Sequence, residues 1–588
     1  MIHSINTRTM QYKPALSRIG LVLLLMGGIS AARAQQVIDI GKAGEIKKNK
    51  AIQWSGGISA NTILYSGNGE TGREAFNYYL NGTLTARLWG LLDVPVSFNL
   101  TNVGHSFNYP TLPSRIGIHP KYKSVTAHLG NVSMSFSPYT LNGYQFLGAG
   151  VDVEPPKNHW KVSAMAGRLQ KASQYDSTNT IIPAAYQRFG YGVKVVYAQK
   201  LYRLGVTVFA AKDKVSSLTF KPDSIGITPK QNLVVSWNGS IMAAKDLELS
   251  AEYASSALTR DLRDTASNSN GGKRLLTSVI GQKNSTALYK ALKANLNYKY
   301  KNSVIGVGYE RVDPGYETLG AYYFNNDLEN VTVNVSQPFA KGKGQIAGNV
   351  GFQKDNLDDK KFGSNKRAVY ALNVSLVPNA RWITTFSYSN FTTYMYIRPL
   401  YQSINQTITP YTNLDTLNYS QITQNTNLNL NYMFPSAPEK SQSLNFNLNY
   451  LRSADKQGGI AQFGAPSTLL MVTLGYTLAL VPSQTSLTVS FNTAYNDIAN
   501  TKYIFMGPTV VLNKKLGKNL STNLVSSYNK TTGASTMEST VFNNRLNLTW
   551  TVKTRHNFSF GIIDQARQSG TSGKTNDFMV LAGYGLYF

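Results

Sequence analysis

The sequence predicts an all-β fold: a single large transmembrane antiparallel β-barrel of about 24–26 strands, with short turns at one end and long loops at the other. Three observations predict it. Apolar and polar residues alternate in segments of about ten residues along nearly the whole chain, the pattern of strands with one face to lipid and one to water. Beyond the first thirty residues no apolar run reaches the roughly 18 residues that a membrane helix needs. The chain also stops in mid-strand on an aromatic residue: FMVLAGYGLYF, from Phe578 to Phe588, sets Tyr584, Leu586 and Phe588 on one face.

The front end reads as an export signal. Arg8, Lys13 and Arg18 precede an apolar stretch, IGLVLLLMGGI, too short to span a bilayer as a helix. Ala32-Arg33-Ala34 supplies a small-x-small cleavage pattern. Residues 1–34 are therefore expected to be a signal peptide, residues 35–50 a short periplasmic segment and residues 51–588 the barrel. With no cysteine there is no disulfide, no cysteine metal site and no lipid-modified N-terminal Cys. The 36 Tyr, 24 Phe and 6 Trp suit aromatic girdles at two membrane interfaces. Net charge is +28; Arg8, Lys13, Arg18 and Arg33 supply four, leaving +24 after cleavage. Export and the even spread of charge argue against nucleic acid as the partner and for lipid headgroups or anionic solutes.

The hairpins follow in order. Leu80, Leu84, Ala86 and Leu88 lead to a turn at Gly90, and Val94, Val96, Phe98 and Leu100 leave it. Tyr370, Leu372, Val374 and Leu376 run to Pro378-Asn379-Ala380, with Trp382, Phe386 and Tyr388 beyond. Leu428, Leu430 and Tyr432 alternate with Asn427, Asn429 and Asn431; Leu444, Phe446, Leu448 and Tyr450 alternate with Asn445, Asn447 and Asn449. One face of this hairpin is apolar and the other is amide, so Asn is expected to line a wet lumen. Further pairs at Leu470–Leu480 with Leu487–Tyr495, and at Leu546–Val552 with Phe558–Ile562, repeat the pattern. The short turns, many of them basic, are expected in the periplasm, and the long polar segments, including 256–288, 312–328 and 389–424, outside the cell. In the closed barrel the last strand must pair with residues near 51–65, with Trp54, Ile58, Ala60 and Thr62 on the lipid face.

Residues 131–150, NVSMSFSPYTLNGYQFLGAG, break the alternation. They read either as a bulged strand or as a segment folded into the lumen, with Pro138, Tyr139, Asn142 and Tyr144 forming a constriction.

The terminal strand, residues 133–155 (SMSFSPYTLNGYQFLGAGVDVEP) and residues 309–334 (YERVDPGYETLGAYYFNNDLENVTVN) together resemble large, uncharacterised outer-membrane β-barrels of the Bacteroidota. The resemblance implies location in the outer membrane. It makes Tyr584, Leu586 and Phe588 an assembly signal for the outer-membrane assembly machinery, and it supplies no catalytic residue. TonB-dependent receptors carry a globular plug domain before the barrel, for which residues 35–50 leave no room. The translocon barrel of type IX secretion is several-fold longer.

Chemistry-bearing residues are sparse. His128 shares a face with Ser124 and Thr126, which places it toward the lumen; a Ser/His pair would be nucleophilic, but Ser124 is four residues away along one strand. Loop acids Asp313, Glu317, Asp327 and Glu329 are weak candidates for metal, without EF-hand spacing. KDNLDDKK, residues 354–361, favours local ion pairs. No phosphate loop, dinucleotide fingerprint or zinc signature occurs, so no cofactor is expected. Tyr322-Tyr323-Phe324 and Tyr394-Met395-Tyr396 suit interface girdles or stacking platforms. The expected function is a non-enzymatic channel or transporter for hydrophilic solutes, with inward Lys and Arg favouring anions. The alternative is an occluded barrel that anchors a secretion or surface-protein complex.

Overall fold

The computed structural model describes residues 51–588 except 69–73, 103–113, 157–158, 176–183, 220–225, 267–274, 323, 361–365, 391–392, 397–418, 454–455, 458–459, 462–466, 499–500, 534–537 and 571–572. Residues 1–34, expected as a signal peptide, and residues 35–50 lie outside the described residues.

The chain is a closed antiparallel barrel of 26 strands with almost no helix. Two of the 26 are interrupted: Arg115–Ile118 continues as Lys121–Tyr122, and Trp382–Ser389 as Thr393–Tyr396. Each strand pairs with its sequence neighbour, and the first, Ile52–Gly67, pairs with the last, Gly573–Tyr587. In that seam Ile58 faces Leu586, Ala60 faces Tyr584 and Thr62 faces Ala582. Phe588 completes it, exchanging backbone bonds of 3.0 and 2.8 Å with Gly56. Closure satisfies every edge, which a strand protein in lipid requires.

Alternation sets the two faces. Val331, Val333 and Val335 are exposed, and so are Ile305, Val307, Val206 and Val208; these form the apolar outer band. Aromatic residues ring both of its ends. Near the short turns Trp160 packs on Tyr197, Trp382 on Tyr432 and Trp550 on Phe558, with centroids 4.8, 4.6 and 5.5 Å apart. At the other end Tyr370 stacks on Tyr388 at 5.4 Å. Hairpin twist is set in the short turns: Lys553 and Thr554 both hold positive φ, 50° and 58°, as a type I′ turn requires.

One short turn, at Lys123-Ser124, is absent from the turns expected from sequence. Lys121–Tyr122 and Val125–Met134 pair directly across it. It supplies the hairpin that brings the strand total to 26. Twenty-six strands spaced about 4.8 Å apart and tilted about 40° enclose a ring roughly 50 Å across, too wide for side chains alone to fill.

Candidate functional site

The lumen is filled from one side. Residues 135–143 leave the strand Val125–Met134 and fold inward before Tyr144–Val153 begins. The described residues of the long loop 312–328 pack inward as well, which corrects the expectation that this loop is solvated. The reason is compositional: Tyr316 and Leu319 are apolar enough to leave water, Phe324 packs against Tyr316 half-buried, and the facing wall makes room for them.

The two segments clasp each other. Tyr316 Oη donates to Tyr139 O at 2.8 Å, Thr318 Oγ1 to Thr140 O at 2.6 Å and Asn142 N to Gly320 O at 2.9 Å. Tyr322 stacks on Tyr144 with centroids 4.1 Å apart, and Phe324 packs on Tyr139 and Tyr316. Tyr322 and Phe324 thus belong to the interior and not to an interface girdle; Tyr323 lies outside the described residues, as do the side chains of Tyr394, Met395 and Tyr396. Of the sequence-marked group, Tyr139 and Tyr144 are buried, while Pro138 and Asn142 are exposed.

The clasped segments are bonded to the wall. Tyr139 Oη donates to Glu310 Oε1 at 2.6 Å, Ser256 Oγ to Glu317 O at 2.7 Å and Lys194 Nζ to Phe136 O. Lys230 Nζ pairs with Glu317 at 2.8 Å. Beside it Arg188 forms a two-pronged pair with Asp213, at 2.7 and 3.1 Å, with Asp213 buried and Lys230 N donating to its Oδ2. Burial pushes the hydroxyls of Tyr139 and Tyr316 far above the ordinary tyrosine range, so both stay protonated as donors. Glycines give the space: a Cβ on Gly192 would stand 2.6 Å from the Phe136 ring, and one on Gly320 2.6 Å from Thr140 O. Phe136, Leu141, Phe209 and Leu319 form one buried cluster, and Tyr139, Val234, Ala254, Val312 and Tyr316 a second.

The opposite wall is polar. Asn427, Asn429 and Asn431 pair in register with Asn449, Asn447 and Asn445, and all six are half-buried. Thr473 continues the row beside Asn447, and its Oγ1 donates to Asn492 Oδ1 at 3.0 Å. Arg545 also points inward, with its Nε bonded to Asn547 Oδ1 at 3.4 Å.

The four loop acids are not brought together. Asp313 accepts Lys290 N, Glu317 pairs with Lys230, Asp327 accepts Leu357 N, and Glu329 accepts Tyr309 Oη. Among the described residues no group of three His, Cys, Asp or Glu side chains stands ready for a metal. Lys360 pairs with Asp358 at 3.1 Å. His128 meets His119 and Asp152, not Ser124, which lies in the turn. Those partners come from other strands and left no local signal.

No family model matches this sequence, and no curated protein does. Solved structures align along most of the chain. The ferric yersiniabactin uptake receptor FyuA of Yersinia pestis aligns with 11% identity over 91% of this chain and 80% of that one, at a TM-score of 0.37. A mutant ferric enterobactin receptor, PfeA of Pseudomonas aeruginosa, has 12% identity over 90% and 80%, at 0.39. The P pilus usher (PapC) translocation pore has 9% identity over 91% and 99%, at 0.34. The barrel stands on its own strand closure, and likenesses this remote add no weight to any functional reading.

Proposed function

We propose that this protein is a channel or transporter of the bacterial outer membrane, exported by residues 1–34 and similar in kind to the large barrels of the Bacteroidota. It passes hydrophilic solutes, anions in preference, along the asparagine wall, while the inward segments narrow the path from the other side. The observation that carries this reading is the row of half-buried inward amides from Asn427 to Asn449 inside a closed barrel with an apolar outer band. Amides solvate a polar solute without trapping it, and an inward Arg545 bonded to an amide favours anions. Pro138, Tyr139, Asn142 and Tyr144 form the narrowing. Tyr584, Leu586 and Phe588 serve insertion by the assembly machinery, lipids surround the outer band, and no catalysis is part of the reading.

A second reading has its own support. The clasp of residues 135–143 on 313–327 is well bonded and would suit an occluded barrel that anchors surface or secretion proteins. Purified barrel in planar bilayers separates the two. Steady conductance, with a reversal potential in a KCl gradient displaced toward chloride, is the expected result. Silence under all conditions, with co-purifying partners, would favour the anchor.

A further inference from the structure

Two histidines meet inside the barrel near its short-turn end. His119 sits at the break between Arg115–Ile118 and Lys121–Tyr122, where Pro120 has no N–H to give the ladder. His128 lies on the adjacent strand, Val125–Met134. Their Nδ1 atoms are 2.9 Å apart, with ring planes at 62°. The far nitrogen of His128, Nε2, is 2.9 Å from Asp152 Oδ2, and Ser163 Oγ donates to Asp152 Oδ1 at 2.5 Å.

An ionised carboxylate only accepts, so Asp152 holds the proton of His128 on Nε2 and leaves Nδ1 as a lone pair. That lone pair accepts the hydrogen bond from His119 Nδ1–H at 2.9 Å, and an ion takes this place when His119 carries its proton on Nε2 instead, which frees both Nδ1 lone pairs. A carboxylate behind an imidazole is the arrangement that orients ligating histidines, and Ser163 in turn steadies the carboxylate. Two nitrogens about 2.0–2.1 Å from one ion and at right angles across it stand about 2.9 Å apart. Next to the pair, an inner-wall recess of about 590 Å³ is lined by Ser59, Asn81, Thr83, Ser97, Arg115 and Gly117. A Cβ on Gly117 would lie 3.0 Å from His119 Nε2, so the ring rests against this recess.

The geometry points to a divalent transition-metal site: His119 and His128 bind Cu²⁺ or Ni²⁺ through their Nδ1 atoms, with Asp152 and Ser163 holding His128 from behind. Two protein nitrogens leave the remaining positions to water or to donors of a passing solute. The bound ion ties the broken strand to its neighbour. The site stands whether or not the barrel conducts.

The test is calorimetric titration of the full-length barrel in detergent with CuCl₂, NiCl₂ and ZnCl₂, alongside electron paramagnetic resonance of the Cu²⁺ form. One ion per barrel is expected, with Cu²⁺ tightest, and with hyperfine coupling to two imidazole nitrogens. His119→Gln and His128→Asn should each weaken binding at least tenfold and leave one nitrogen coupled. Asp152→Asn should weaken it about 10–100-fold. His159→Gln, which alters a ring bonded to Ala198 O, should change nothing. Heat-modifiable migration of every variant checks that it is folded. Copper binding that is equally tight in the folded His119→Gln/His128→Asn double variant, or no stoichiometric binding to the parent barrel, would overturn the site.

Discussion

The strands Tyr144–Val153 and Lys440–Ser453 differ little on the outside and sharply on the inside. Both expose apolar residues to lipid, Leu147 on the first and Leu444 on the second. Inward, the first turns Tyr144 and Phe146, both buried; the second turns Asn445, Asn447 and Asn449, all half-buried. The same contrast separates two arcs of the wall. From Val125–Met134 to Ser303–Val312 the inner face carries buried apolar residues and glycines under the inward segments, with paired polar groups such as Arg188 and Asp213 or Tyr139 and Glu310 among them. From Lys366–Asn379 to Ser467–Leu480 it carries mainly amides and hydroxyls, with Leu451, Leu469 and Met471 toward the long-loop end. Where part of a barrel strand is apolar on both faces, as at Tyr144 and Phe146, something other than lipid covers one of them, and here that cover is the chain's own pair of inward segments.

The contrast can be broken at its charged anchor first. Asp213→Ala leaves Arg188 buried without its carboxylate, which should cost about 3–5 kcal/mol. It should be read as a fall in the temperature at which the folded band is lost in gel-shift melting. Phe136→Ala empties the centre of the first cluster and should cost about 3 kcal/mol by the same measure, the low end for a buried Phe because lumen water can enter the void. Tyr139→Phe removes the donor to Glu310 and should cost about 1–3 kcal/mol while raising protease access to the inward segments. The smallest stability effect belongs to the other arc: Asn447→Asp should stay within about 0.5 kcal/mol yet shift the reversal potential toward cations. An Asn447→Asp barrel as unstable as Asp213→Ala would mean the amide wall is packed and not a solvated path.

Much of the barrel was legible because period-two alternation is a local property. The facing of Asn429 and Asn447 follows from the spacing around one turn, and the seam partners Ile58 and Ala60 follow from closure. The turn at Lys123-Ser124 was hidden because alternation runs straight through YKSVTAHL and the strand before it is broken at His119-Pro120. Residues 131–150 announced irregularity, but nothing local said that Tyr316, more than 170 residues on, would bond to Tyr139 O. The inward packing of the loop 312–328 was missed because its Asn, Asp and Gly residues mask Tyr316, Leu319 and Phe324. Its burial depends on glycines on strands far away in sequence. The partners of His128 were lost for the same reason, since His119 and Asp152 come from two other strands.

The most direct test compares single-channel conductance of the full barrel with that of a variant in which residues 135–143 are replaced by a short Gly-Ser turn. The expected result is a small, chloride-favouring conductance in the parent and one several-fold larger in the variant, with both folded to the same barrel. Equal conductance in the two would contradict an inward plug that narrows a path along the asparagine wall.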